Sequence, residues 1–317
     1  MPVSGDHVII PTLTFIATAN AVAHCHGEPI LVDVDADRWC LDPELVREVL
    51  ETRCARDASG VLRLTRTGRP VKAMVPVFAM GLPANMDPLA ALAQEYRLAL
   101  IIDAAAAIGA TYKGRTLADM GADSAMLSFN GNKLVTAGGG GALISDRAEF
   151  GPRLRHLTST ARVGAVYDHD IVGFNYRMTN LQAAVGVAQM ERLSEFLQDK
   201  ARIAARYAAA FADLDGVLAF PEVADSTGSY WLSGIFLPDA SLEAMDALRA
   251  RLDAAGAASR PFWKPIHQQA PFSHAPTALS GFADHVWLRV QPLPCSSHLT
   301  ETEQETVIAA VRGHFGA

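Results

Sequence analysis

Lys133 lies in the run Ser128-Phe-Asn-Gly-Asn-Lys133, precedes Gly138-Gly139-Gly140-Gly141, and comes thirty residues after an apolar run that ends in Asp103. A lysine in such a setting can condense with an aldehyde cofactor, given a carboxylate for the cofactor ring nitrogen and donors for a phosphate. Asp103 and Ser128 supply the carboxylate and a hydroxyl. The choice of lysine is narrow, because the chain has five: Lys72, Lys113, Lys133, Lys200 and Lys264. Lys72 precedes a strand, Lys113 occupies a Tyr-Lys-Gly turn, and Lys200 falls on the charged face of a helix. A lysine at an arbitrary position belongs on the surface, but the Asn-Gly-Asn before Lys133 and the glycines after it describe a tight loop that a ligand approaches closely. For Asp103 the competing role is an N-cap for the alanines that follow; Lys133 tips that choice toward chemistry.

The elements that must position these groups are legible as alternating runs. Between Gly5 and Asp146, β-type segments (His7 to Ile10, Ile30 to Asp33, Ala73 to Pro76, Leu98 to Asp103, Ala125 to Ser128) are separated by stretches with helical character, Thr14 to His24 and Pro88 to Tyr96. The second helix is expected to open at Met86-Asp87-Pro88, an N-cap with proline in the first turn. Alternation of this kind predicts an α/β fold, with a mostly parallel, mixed sheet flanked by helices. Ligands of such sheets bind beyond the carboxyl ends of the strands, which puts Asp103, Ser128 and the Lys133 loop on one rim. Apolar residues at helical spacing after Asn180, with a charge-rich stretch from Glu191 to Arg206, predict a long helix linking two domains. Beyond Asp215-Gly216 the pattern changes to a strand at Trp231 to Phe236 and helices at Leu242 to Leu252 and Glu301 to Arg312. The expected division is a large domain over residues 1–200 and a smaller α+β domain over 201–317.

Composition narrows the function. Of 317 residues half are apolar and 19% charged, and the net charge of −7 argues against a nucleic-acid or anionic membrane partner. No segment has the length and apolarity of a membrane span, and no leader pattern opens the chain. Cys25, Cys40, Cys54 and Cys295 show neither a C-x-x-C pair nor zinc spacing, so mostly buried, reduced thiols in the cytoplasm are expected, with no metal. Asp33-Val-Asp35-Ala-Asp37 with Glu44 imitates a calcium loop, but Arg38 stands where that loop requires glycine. The run Gly138 to Gly141 lacks the companions of a nucleotide-binding loop and reads as a turn beside the cofactor.

Several stretches taken in order resemble one known family. They are Gly5-Asp-His-Val-Ile-Ile-Pro-Thr-Leu-Thr-Phe15, Val32-Asp-Val-Asp35, Asp103-Ala-Ala105, Ser128 to Gly141, Gly173-Phe-Asn-Tyr-Arg-Met178, Gln182-Ala-Ala184 and Trp263-Lys-Pro-Ile-His267. Over nearly the whole chain the sequence resembles the fold-type I, vitamin B6-dependent aminotransferases of nucleotide-linked keto sugars (the DegT/StrS type). The Phe-Asn-Gly-Asn-Lys form, with His156-Leu-Thr158 and Gly173 to Leu181, is most similar to the branch that aminates C4 of UDP-linked 4-keto-6-deoxy-N-acetylhexosamines. The resemblance implies pyridoxal 5'-phosphate as cofactor and glutamate as amino donor. It implies Lys133 as the Schiff-base lysine and proton shuttle, Asp103 on the pyridinium nitrogen, and Phe15 and Ala105 on the two ring faces. It further implies Ser128 on the cofactor phosphate, Asn175 on the phosphate of the neighbouring subunit in a homodimer with shared sites, and Trp263, Lys264 and His267 along the sugar nucleotide.

Three departures accompany the resemblance. Relatives carry a further N-terminal portion with a Ser-Gly-Thr loop for the cofactor phosphate, so the chain is expected to be N-terminally truncated relative to the family. Ala106 stands where glutamine or glutamate is usual, and Phe78 where histidine is common. Two other functions compete with amino transfer: a same-fold sugar dehydratase, which would carry histidine in place of Lys133, and a truncated, catalytically impaired paralogue that acts as a dimer partner.

Overall fold

The computed structural model describes residues 5–316; the outer ends of the two expected domains, residues 1–4 and 317, lie outside the described residues. The first half runs β1 (His7–Pro11), α1 (Ala17–His24), β2 (Glu28–Val32), α2 (Pro43–Glu48), β3 (Cys54–Arg56), β4 (Leu62–Leu64), β5 (Val71–Met74), α3 (Met86–Tyr96), β6 (Ala99–Asp103), β7 (Thr111–Tyr112), β8 (Ser124–Ser128) and β9 (Gly141–Ile144). After it come α4 (Phe150–Thr158), β10 (Arg162–Val163), β11 (Asp168–His169), α5 (Asn180–Glu191), α6 (Leu193–Phe211), β12 (Leu218–Ala219) and β13 (Ser226–Thr227). The chain closes with β14 (Ser233–Phe236), α7 (Leu242–Ala254), β15 (Thr277–Ala278), α8 (Phe282–Arg289), β16 (Val290–Leu293) and α9 (Glu301–His314).

Seven strands form the main sheet in the order β15-β2-β1-β5-β6-β8-β9. Its pairs are parallel except for β8 with β9, in which Ser128 faces Gly141. The α/β reading of the sequence therefore holds, and the mixed character comes from a strand hidden in the glycine-rich stretch. A side chain at Gly141 would place its Cβ 2.4 Å from the Leu127 carbonyl oxygen, and one at Gly140 would meet Met178. These glycines thus serve close strand pairing and packing against the segment before α5. β1 and β2 are buried along almost their whole length, as expected for strands covered on both faces.

The smaller sheet, β12-β14-β16, is antiparallel. It packs with α6, α7 and α9 around Ile203, Tyr207, Leu248 and Val311. The segment beyond residue 200 also returns to the main sheet, through β15. Asp33, just past β2, anchors that return: its carboxylate accepts the backbone N–H groups of Ser280, Gly281, Phe282 and Ala283 and the Ser280 hydroxyl. This is a buried anion at the start of α8, where the helix N-terminus favours negative charge. The first residue of the acidic run that imitates a calcium loop thus serves as this cap, while Asp35 accepts the Arg38 N–H. Among the described residues no cluster of His, Cys, Asp and Glu could hold a metal ion.

Local expectations needed four corrections. α3 begins at Met86 with Asn85 at the N-cap, and Asp87 pairs instead with Lys113, at 2.7 Å, and with Arg115. The long linking helix is two helices, broken at Arg192, whose ψ of 7° leaves the helical range. Of the four free cysteines only Cys40 is buried, and Cys25 is exposed. Lys200 lies on the buried face of α6 and not on the charged one.

Candidate active site

The carboxyl ends of β1, β6 and β8 open onto a cavity of about 540 Å3 that also spreads over one sheet face along Val8, Ala73, Ile101 and Met126. Phe15, Asp103, Ala105, Ser128, Lys133 and Trp263 line it together. β6 ends in Asp103 and β8 in Ser128 because each apolar strand stops where its backbone leaves the sheet for the ligand side. Phe15 is presented by the turn between β1 and α1, and its ring centroid lies 6.2 Å from that of Trp263.

Asp103 is 6% exposed. One carboxylate oxygen accepts the Thr18 hydroxyl at 2.7 Å and the other accepts the Ala105 N–H at 3.1 Å. Burial pushes its carboxyl up from the ordinary range; Thr18, Ala105 and the charge of Lys133 oppose the shift without cancelling it. No helix follows Asp103, so the N-cap role does not apply: the Ala105 contact closes a turn.

Lys133 is half-buried, and its Nζ stands 3.6 Å from the centroid of the Trp231 ring. Burial lowers its amine to about 8, with Asp103 acting in the opposite direction. The loop before it is fixed by Lys133 N–H to the Asn130 carbonyl at 3.0 Å and by the Trp231 indole N–H to the Asn132 carbonyl at 2.8 Å. The Ser128 hydroxyl accepts the Asn130 N–H at 3.3 Å.

Three residues singled out from the sequence stand apart from this cavity. Lys264 is exposed, and its carbonyl accepts from Gln269. His267 is clamped between elements: its Nδ1 is hydrogen-bonded to the Thr12 hydroxyl at 2.7 Å and its Nε2 lies 3.1 Å from Asp284 of α8. Asn175 is exposed on a segment bridged to Ser159. Ala106, in place of the usual glutamine or glutamate, is buried, and its carbonyl accepts the Ser229 hydroxyl. Phe78, in place of histidine, is fully buried in the main core.

Thr18 and Trp231 are site residues that the sequence reading missed. Thr18 could have been found, because the helix expected from Thr14 to His24 would put it one turn after Phe15. Trp231 gives no such signal: it lies 98 positions beyond Lys133 and reaches it only through the fold.

The donor set fits pyridoxal phosphate. A buried carboxylate with its charge only partly compensated suits a pyridinium N–H, an amine of lowered basicity suits an aldehyde carbon, and apolar walls suit a flat ring. Comparison with known proteins agrees with the geometry. Residues 2–312 match the DegT/DnrJ/EryC1/StrS aminotransferase family. The chain is 36% identical over 310 residues to a GDP-perosamine synthase of Caulobacter vibrioides, covering 97% of this chain and 78% of that protein. It is 32% identical to a UDP-N-acetyl-3-dehydro-alpha-D-glucosamine 3-aminotransferase of Acidithiobacillus ferrooxidans, covering 97% and 77%. The fold superposes on S. venezuelae DesV, solved in complex with a ketimine intermediate, with a TM-score of 0.85 at 30% identity, over 98% of this chain and 79% of that one. Cavity, residues and relatives converge: the chain belongs to the DegT/DnrJ/EryC1/StrS aminotransferase family and is a pyridoxal phosphate-dependent sugar aminotransferase.

Proposed function

We propose that the enzyme moves an amino group from glutamate to C4 of a nucleotide-linked 4-keto-6-deoxy sugar, with a UDP-linked N-acetylhexosamine as the preferred type. The observation that carries the chemistry is Lys133, of lowered basicity, in one cavity with the buried carboxylate of Asp103. The Phe-Asn-Gly-Asn-Lys form of the loop supports the sugar type. Relatives named for a GDP-linked and for a UDP-linked sugar support a nucleotide-sugar substrate.

When bound, the cofactor supplies an aldehyde to carry nitrogen and a conjugated ring to accept electrons. Asp103, oriented by Thr18 and the Ala105 N–H, holds the proton on the ring nitrogen and so preserves the positive charge that draws electrons in. Phe15 and Ala105 confine the ring, and Ser128 donates to the phosphate. Lys133, with an amine that can be neutral or charged near pH 8, accepts and returns the proton that moves between cofactor and substrate. Trp263 borders the sugar, and the nucleotide extends past the cavity toward Lys264 and His267. With no described helix long and apolar enough to cross a membrane and four free thiols, a cytoplasmic enzyme is the reading we favour.

A panel of UDP-, GDP- and dTDP-linked keto sugars with 15N-glutamate tests the assignment by mass spectrometry and NMR. The UDP-linked 4-keto compound should turn over fastest and carry 15N at C4. Nitrogen at another carbon, or fastest turnover with a different nucleotide, would refute the finer assignment.

We further propose that a second copy completes the site. α5 has no buried residue. Around it Leu181 is 82% exposed, Val172 88% and Tyr167 86%, a concentration of apolar surface that a monomer in water would not leave bare. Asn175 is exposed on this surface, and in the proposed dimer it reaches the partner's cofactor phosphate. Leu181→Glu should weaken the dimer by about 30-fold or more. Sedimentation then shows monomers, and turnover falls with the dimer population; an unchanged dimer would remove this surface as its interface.

A further inference from the structure

α6 buries Phe196, Lys200, Ile203, Tyr207 and Phe211, positions four, three, four and four apart that share one helix face. Lys200, 4% exposed, thus occupies a core position. Its ammonium donates to the Trp231 carbonyl at 2.7 Å, the Cys295 carbonyl at 2.5 Å and the Cys295 sulfur at 3.3 Å. None of these partners is a carboxylate. Burying an ammonium without a counter-ion is costly, and a methionine would fill the same slot; what the amine adds is a hold on two backbone carbonyls.

The held residue leads directly to the site. The Trp231 indole N–H braces the Asn132 carbonyl, one peptide before Lys133, and the ring face carries the Lys133 amine. Trp231 and Lys133 both border the cofactor cavity and a second one of about 620 Å3, whose walls include Arg192, Glu195, Asp199, Lys200 and His298. An indole released from its backbone anchor has room to swing into that second space.

We propose that Lys200 is a positioning residue for Lys133: by holding the Trp231 carbonyl it fixes the indole that seats the Lys133 amine and braces the Asn132–Lys133 peptide. The proposal rests on the reading of Lys133 as the reacting amine. Trp231 is two residues ahead of β14, whose pairing with β16 starts at Ser233. Loss of the Lys200 contacts therefore leaves the small sheet paired and loosens the segment that reaches the site.

The test needs no cofactor. Reductive methylation of Lys133 by formaldehyde and cyanoborohydride, followed against pH by peptide mass spectrometry, reads the neutral amine. In the native chain the expected midpoint is about 8. Lys200→Met should raise it toward the ordinary lysine value by on the order of one unit, as water reaches the amine, which cuts labelling at pH 8 about fivefold. Trp231→Phe, which keeps a ring but removes the indole N–H, should move it the same way, and the double variant should move it no further. A lowered melting temperature with an unmoved Lys133 midpoint overturns the proposal and leaves Lys200 a purely structural lysine. Should Lys200→Met fail to fold, Trp231→Phe decides alone, an unmoved midpoint again refuting the link. Failure of the underlying reading of Lys133 would show separately, as borohydride fixing the cofactor to another lysine of the native chain.

Discussion

Lys133→Ala should lower amino transfer by about four orders of magnitude or more and leave the fold intact. On the proposed reading the lost group does two jobs, covalent attachment and proton transfer, and the second alone contributes about 10²–10⁴-fold in typical enzymes. Stability should change little, because among the described residues the amine forms no ion pair and its partner is the face of Trp231, a contact worth roughly 0.5–2 kcal/mol. Turnover of 15N-glutamate, borohydride fixation mapped by peptide mass, and a melting curve check the three parts. Retention of the borohydride adduct in this variant would move the role to another lysine. A small primary amine added to the medium should restore part of the proton transfer, since the vacated volume opens on the cavity; rescue separates lost chemistry from lost structure.

Asp103→Asn should cost about 10³-fold in turnover, comparable to losing a preorganised charge at the reacting centre, and yet stabilise the cofactor-free chain at neutral pH. The sign follows from the upward shift. A carboxyl whose value is raised on folding contributes stability that is fully present below its unfolded value, near 3.8, and lost as pH rises through the folded value. At pH 8 the native, cofactor-free chain therefore carries the cost of a buried charge that asparagine does not. The amide retains an oxygen for the Ala105 N–H, and the Thr18 hydroxyl can turn from donor to acceptor for the new N–H group. The melting temperature of the variant should equal or exceed the native one at pH 8, with the difference shrinking toward pH 4. Saturation with cofactor should reverse the order, because only the carboxylate gains a pyridinium partner. A variant that melts below native at pH 8 without cofactor, or keeps a tenth of the activity, would disprove the role given to Asp103.

The two residues differ in how the chain makes them usable. Asp103 depends on a local device, a strand that ends with its last side chain facing the cavity, and its nearest donors are two residues and one helix away. Lys133 depends on a loop whose shape is held from outside: the Asn132 carbonyl is braced by Trp231, and Trp231 by Lys200 on α6. Local devices are visible along the chain. External braces are not.

That distinction accounts for what could be read in advance. The strands β1, β6 and β8 announce themselves as apolar runs, the last two ending at Asp103 and Ser128, and their alternation with helical stretches is enough for a parallel sheet with its ligand side at those two residues. β9 stayed hidden because the glycine run that leads into it at Gly141 suppresses strand character, and β15 because two residues carry no period. Lys200 reads as part of a charged face because the stretch Glu191 to Arg206 is charge-rich, while the helix phase that buries it is set by Phe196 and Ile203. The hydrogen bond between His267 and Thr12, which joins residues 255 positions apart, is likewise invisible along the chain.

By itself, then, the sequence determined the chemistry: a lysine, a carboxylate and a hydroxyl whose spacings a strand-turn-helix chain must bring to one rim, since strand ends and short loops are fixed by local backbone preferences. Only the tertiary structure decided how basic the lysine is, which aromatic ring seats it and which lysine lies buried behind that ring. Those properties arise from desolvation and from contacts between distant segments, and neither exists until the core has closed.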